Sequence, residues 1–236
     1  MGVPLAALTP VAALAEAERL YEAGTPAALY HANAHTLNLA YSDPSYAEVL
    51  RRGALVLNDG KGMLLAARLV GRRFPADLNG NFFTPLLLGL AADRGWPVYF
   101  LGAKPGVAAA AAVLAEDRYP GLKVVGAHDG YVTPATEADV ISEIKSSGAA
   151  LLLVGMGNPY QERWLDRCLA ATEARLGAGV GAFFDFQTGH VARAPGWMNR
   201  IGLEWLYRLG KEPGRLWRRY VVGNPLFVAR VMRSRQ

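Results

Sequence analysis

Among the carboxylates of this chain, Asp59 stands in the setting best suited to chemistry, because NDGKG follows directly on the apolar run ALVLN at 54–58. A carboxylate at a strand end can take a proton from a hydroxyl as a general base. Asp-Gly is equally a turn pair capping a following helix, and on residue chemistry alone that use is the commoner one. In GMGNPYQERW (155–164), Gly155 and Gly157 would let a ligand approach the backbone, and Gln161, in the first turn of a helix, would face the same crevice. The plainer alternative is a capped helix, with Glu162 favouring its positive end and Trp164 packing. LGAKPG (101–106), which contains Gly102, leads into a helix whose free N–H groups could hold a diphosphate, or it is a tight turn. In FDFQTGHVARAP, Asp185 either holds a ligand hydroxyl or forms an Asx turn, and His190 reads as a loop residue. His31 reads as a partly buried strand-end histidine. The chain contains no Asp-x-Asp and no His/Cys run with metal-ligand spacing, so the chemistry expected is metal-independent, with arginines and helix ends meeting phosphate charge.

These residues need a frame. Apolar runs of strand length at 27–33, 54–58, 97–102, 122–127, 149–154 and 178–184 alternate with helical segments near 10–23, 43–52, 61–70, 84–94, 106–118, 134–147 and 159–175. That alternation predicts an α/β fold: a modified Rossmann-like, largely parallel sheet with helices on both faces. Ligands of such sheets bind beyond the carboxyl ends of the strands, where Asn33, Asp59, Gly102, Gly155 and Asp185 fall. Thr9-Pro10 and Thr133-Pro134 mark helix starts, and Gly95, Gly121 and Gly148 mark stops.

After Pro195 the pattern changes. Residues 196–236 carry nine Lys/Arg against two Glu, a balance of +7, leaving −2 of the net +5 for residues 1–195. Trp197, Ile201, Trp205 and Leu209 form a helical stripe beside Arg200 and Arg208, and Pro213-Gly214 separates a second basic helix. We therefore expect a body at 1–195 and a basic, Trp-rich helical appendage at 196–236 that meets phosphates, nucleic acid or acidic headgroups. The single Cys168 allows no internal disulfide, and the start lacks a basic leader region. No run suits a membrane span, so the expectation is a cytoplasmic protein.

From Asn33 to Tyr220 the ordered motifs NAHTLNLA, NDGKG, LNG, FLGAKPG, VGMGNPYQERW, GVGAFFD, RAPGW, GLEWLYRL and RRY resemble those of the WecB/TagA/CpsF family of bacterial glycosyltransferases. The resemblance implies an inverting transfer from a UDP-sugar, with an N-acetylhexosamine among the sugars it allows, to a polyprenyl-diphosphate-linked saccharide in surface-polysaccharide or wall-polymer synthesis. It implies no cofactor and no nucleic acid. It places the protein peripherally on the inner membrane face, with an appendage that closes over the active site and meets anionic lipid, and leaves a homo-oligomer open. By the same resemblance Asp59 is the base and Asn33 and Gln161 contact donor or transition state. His31, Asn79, Gly102, Gly155, Gly157 and Asp185 line the substrate, and Arg208, Arg215 and Arg218 bind diphosphate. Three positions depart from the family: His31 stands in place of a Thr, Asp77 in place of an Arg found in some members, and Asn81-Phe82 in place of a small polar residue and an Asp. The rival readings are a nucleotide-binding module with a basic nucleic-acid arm, and a dinucleotide oxidoreductase, which would need a glycine fingerprint that is absent.

Overall fold

The computed structural model describes residues 2–192, 194–196, 198 and 204–233, and of Glu204 and Arg215 the backbone alone. The apolar runs become strands β1 (Ala27–Ala32), β2 (Leu55–Asn58), β3 (Pro97–Gly102), β4 (Lys123–His128), β5 (Leu151–Gly155) and β6 (Leu176–Gly179). All pair in parallel, in the order β2-β1-β6-β5-β3-β4. Parallel neighbours require crossovers. These are built from helices α1 (Pro10–Glu22), α2 (Ala34–Ser42), α3 (Pro44–Arg52), α4 (Lys61–Leu69), α5 (Gly80–Arg94), α6 (Val107–Arg118), α7 (Glu137–Ser146), α8 (Tyr160–Cys168) and α9 (Phe183–Gln187).

Strand alternation divides the core between the two sheet faces. Leu29, Phe100, Leu151 and Leu153 pack with α1, α5, α6 and α9, whereas Tyr30, Leu101, Leu152 and Val154 pack with α2, α3, α4, α7 and α8. The expected doubly covered parallel sheet is therefore present.

Several boundaries differ from the sequence expectation. The apolar run at 178–184 predicts the sixth strand, but that strand spans Leu176–Gly179, and Phe183 and Phe184 begin α9. Small residues are required in this strand, since a Cβ on Gly177 would lie 2.6 Å from Leu165 and one on Gly179 would lie 2.9 Å from Gln161. Close approach of α8 thus overrides β-propensity. Helix α2 was not predicted; Asn33 caps it by accepting hydrogen bonds from the N–H groups of His35 and Thr36 at 3.0 and 3.1 Å. Helix α5 starts at Gly80 instead of 84, capped by Asn79, and runs through Pro85. Helix α7 starts at Glu137, because Thr133-Pro134 opens a turn whose Thr133 carbonyl accepts from Thr136 and Glu137. Thr9 caps α1 as expected.

The tail folds into α10 (Glu204–Lys211), α11 (Pro213–Trp217), a π-helical turn at Arg218–Val222, and α12 (Gly223–Arg233). Trp205 meets Tyr220 edge-on at 6.0 Å, while Trp197, Arg200 and Ile201 of the expected stripe lie outside the described residues. Helix α12 is integrated with the preceding fold: Phe227 and Val231 are buried in the same cluster as Tyr46 and Leu50. Asn38 of α2 donates to the Gly223 carbonyl at 2.7 Å and accepts from Arg230 at 2.8 Å.

Candidate active site

Strand register builds the centre of the site. Ala32 lies opposite Asn58 in the β1–β2 ladder, so the next residues, Asn33 and Asp59, emerge side by side at the carboxyl edge. Asn33 divides its amide between two tasks. Its carbonyl oxygen caps α2, which leaves the Nδ2 to donate to Asp59 Oδ2 at 2.8 Å. The Asp59 backbone N–H donates to the Ala32 carbonyl at 3.0 Å. The carboxylate is thus oriented by a neutral donor while its Oδ1 makes no hydrogen bond among the described residues, and the residue is half-buried. An oriented, partly accessible carboxylate oxygen of this kind can accept a proton from a substrate hydroxyl.

The loop around Asp59 is braced from the chain before α5. Asp77 accepts from the Gly60 N–H at 2.8 Å, and buried Asn58 donates to the Ala76 carbonyl at 2.9 Å. The acidic residue at position 77 therefore serves the backbone of the Asp59 loop. His31, two residues before Asn33 on the same strand face, is buried, with Nδ1 3.0 Å from the Gly179 carbonyl. A carbonyl only accepts, so Nδ1 carries the proton and Nε2 presents a lone pair. Burial drives the ring's pKa down, against the opposing pull of Asp59 and Asp77, and keeps the imidazole neutral.

Gln161 is placed differently from expectation. It is buried, and its Oε1 accepts from the N–H groups of Gly157 and Gly181 at 3.1 and 3.0 Å. Its amide ties the loop after β5 to the turn after β6 instead of projecting into an open crevice. Gly102 and Gly155 likewise have packing reasons: a Cβ on Gly102 would lie 2.6 Å from the Gly155 carbonyl, and one on Gly155 would lie 2.8 Å from the Gly181 carbonyl. Gly157, at φ 78°, has open space where a side chain would stand. In the LGAKPG loop, Ala103 donates to the Gly155 carbonyl at 3.0 Å and accepts from Gly130 at 2.9 Å, which makes a braced strand-to-helix turn. Asn79 uses its oxygen to cap α5, accepting from Phe82 N–H at 3.1 Å.

Asp185 lies in the first turn of α9, half-buried, and its side chain makes no hydrogen bond among the described residues; its backbone carbonyl accepts from Val191. No Asx turn forms there. His190 bonds Thr188 at 2.9 Å as a loop residue. From the tail, Arg208 sits 5.4 Å over the Phe186 ring of α9, bringing one expected arginine beside Asp185's helix, and its buried Nε has no hydrogen-bond partner among the described residues. Arg218 is exposed, 5.9 Å over Trp217, and the Arg215 side chain lies outside what is described. His35, at the start of α2, has its pKa lowered to about 4 by burial and then by the Arg219 charge. Among the described residues no three His, Cys, Asp or Glu side chains gather as a metal site, and no helix is long and apolar enough to cross a membrane.

Sequence reading missed Glu162. Assigned to the helix dipole, it is fully buried, and its carboxylate accepts from Tyr46 at 3.0 Å, Asn158 at 2.6 Å and Gln161 at 2.7 Å. Burial pushes its pKa up to about 7 against these donors. The only sequence signal was an apolar residue, Trp164, two places on; Tyr46 lies 116 residues away and no local pattern links it.

Comparison with known proteins adds two findings. A family model described as Glycosyl transferase WecG/TagA/CpsF family matches residues 1–236. Among characterised proteins, the N-acetylglucosaminyldiphosphoundecaprenol N-acetyl-beta-D-mannosaminyltransferase of Bacillus subtilis (strain 168) is 31% identical over 195 residues, covering 83% of this chain and 75% of its own.

Proposed function

The chain belongs to the WecG/TagA/CpsF family of glycosyl transferases, and from that membership we propose that it moves an N-acetylhexosamine from a UDP-sugar to a polyprenyl-diphosphate-linked N-acetylglucosamine. It is a glycosyltransferase of bacterial cell-surface polymer synthesis. Asp59 Oδ1 takes the proton from the acceptor hydroxyl as that oxygen attacks the anomeric carbon. The bond to UDP breaks on the opposite face, so the configuration inverts. The observation that carries this assignment is the Asn33–Asp59 contact of 2.8 Å at the carboxyl edge of adjacent parallel strands. Asn33 is a neutral donor that fixes the direction of the carboxylate and leaves its second oxygen to face the acceptor hydroxyl.

Departing UDP carries charge that must be met. Arg208, Arg215 and Arg218 supply cations from the tail, and no divalent metal is needed in this scheme. His31 Nε2, an acceptor only, suits a substrate N–H or hydroxyl. Asp185 and Asn79, with the open backbone at Gly157, are the remaining substrate contacts we assign. Gly102, Gly155 and Gln161 act by shaping the loops.

The tail also fits a peripheral role at the inner face of the membrane. Trp217, Val221, Leu226, Val228 and Met232 are exposed on successive turns, with Arg218 and Arg233 beside them. Apolar side chains flanked by cations suit the boundary of an anionic bilayer. Titration of UDP and a panel of UDP-sugars by calorimetry tests the donor assignment; binding of no uridine nucleotide would overturn it.

A further inference from the structure

Glu162 and Gln161 are adjacent on α8, both buried, and their hydrogen bonds have a fixed direction. Glu162 Oε1 already accepts from the Asn158 amide, so the end of the Gln161 amide that faces it is the NH₂ end. The observed contact is Gln161 Nε2 donating to Glu162 Oε1 at 2.7 Å. That leaves the Gln161 carbonyl oxygen facing the other way, where it accepts from Gly157 and Gly181 at 3.1 and 3.0 Å. Were the amide reversed, an NH₂ would face two backbone N–H donors, and three donors would lose their partner. Asn158 Nδ2 on Oε1 and the Tyr46 hydroxyl on Oε2 hold the carboxylate itself in place, at 2.6 and 3.0 Å.

We propose that Glu162 is a positioning residue for transfer: it fixes the Gln161 amide, which clamps the loop 155–159 to the turn 180–182, the segments that follow β5 and β6 on the same carboxyl edge of the sheet as Asp59. The proposal rests on the reading of these strand ends as the transfer site. Glu162 touches no substrate in this scheme. Its effect travels through one side-chain amide to two backbone N–H groups, one on the open Gly157 and the other two residues before α9, which carries Asp185.

The test compares Glu162→Met, which removes both acceptors at similar length, with Glu162→Gln, which keeps an oxygen for Gln161 and Asn158. Two readouts are followed in the full chain: amide hydrogen exchange at Gly157 and Gly181, and turnover with a UDP-sugar and lipid-linked acceptor. In Glu162→Met, exchange at both glycines should quicken about tenfold or more and kcat should fall about 10- to 100-fold, the scale of a buried hydrogen bond left unmade. Amides of β5 should stay protected. Glu162→Gln should recover most of both losses. Unchanged exchange at Gly157 and Gly181 in folded Glu162→Met, or equal loss of turnover in the two variants, overturns the proposal. If Glu162→Met does not fold, Gln161→Met decides: it removes the clamp but leaves Glu162 with Tyr46 and Asn158, and protected glycines in that variant overturn the proposal equally. The exchange readout needs no turnover, so an absence of transferase activity would count against the assigned reaction and leave the clamp to be judged by exchange.

Discussion

Removing the guanidinium of Arg230 should loosen the tail without unfolding the sheet. Arg230 Nη1 donates to the Asn38 carbonyl and Oδ1 at 3.1 and 2.8 Å, Nη2 donates to Ser42 at 3.2 Å, and the group lies 4.2 Å over the Tyr41 ring. Hydrogen bonds from a charged donor are worth about 1.5–3 kcal/mol when removed from a buried site, and a cation over an aromatic ring adds about 0.5–1 kcal/mol where exposed. Arg230 is half-buried, so solvent screening reduces the total to about 2 kcal/mol for Arg230→Ala. Such a loss multiplies the population of undocked tail by about 30. Phe227 and Val231 remain buried and keep most molecules docked. The assay is native-state hydrogen exchange: amides of α12 and α2 should quicken about 30-fold in the variant, while β5 holds its protection. Turnover should fall as Arg208 and Arg218 are lost from the closed arrangement. Arg230→Lys should not restore it, because an ammonium cannot reproduce the forked geometry. Unchanged exchange in α12, or equal acceleration of α12 and β5, would refute the view that this contact docks the tail separately from the core.

Other outcomes follow from the same structure. Glu162 should make the wild type lose stability relative to Glu162→Gln as pH rises. Its folded pKa of about 7 exceeds the unfolded 4.5, so the neutral form favours folding below pH 4.5, and about 3 kcal/mol of that advantage is gone once pH passes 7. Chemical denaturation of both proteins from pH 5 to 8 checks this, and parallel curves would count against it. His35 acts in the opposite sense: its folded pKa of about 4 lies below the unfolded 6.5, so its contribution holds above pH 6.5 and is lost as pH falls towards 4, an acid sensitivity that His35→Gln should reduce. Turnover should survive excess EDTA; inhibition by chelation reversed by Mg would defeat the arginine-based charge compensation. Full-length protein should float with anionic vesicles at low salt, at about 1 kcal/mol per basic residue near the surface, and release at high salt. Truncation after Pro195 should abolish flotation and also destabilise the body, because it removes Phe227 and Val231 from the core. Flotation by the truncated body would contradict that assignment.

What could be read in the sequence divides along a physical line. Strands β1 to β5 and most of the helices around them are legible because each reports itself locally, through an apolar run or a capping residue such as Thr9, whereas the short α2 carries no such run. Strand β6 was displaced because its small residues answer to Leu165 and Gln161 on a helix packed against it. Asp59 and Asn33 could be placed at strand ends, but their contact depends on the β1–β2 register, which no local pattern specifies. Gln161 was found as a motif residue yet assigned the wrong surroundings, since its partners at Gly157 and Gly181 come from two loops. Glu162 was read as a helix-end charge because its burial is created by Tyr46 of α3, far away in the chain. The docking of α12 was hidden for the same reason: Asn38 and Arg230 are 192 residues apart.

The central claim is that Asp59 is the base of a sugar transfer, and Asp59→Asn tests it most directly. The amide keeps an oxygen for the Asn33 Nδ2 donor, so the loop and the fold should persist while the proton acceptor is lost. Transfer from a UDP-N-acetylhexosamine to lipid-linked N-acetylglucosamine should fall about 100- to 10,000-fold, with calorimetric UDP affinity close to that of the wild type. Turnover of Asp59→Asn near the wild-type rate would contradict the account.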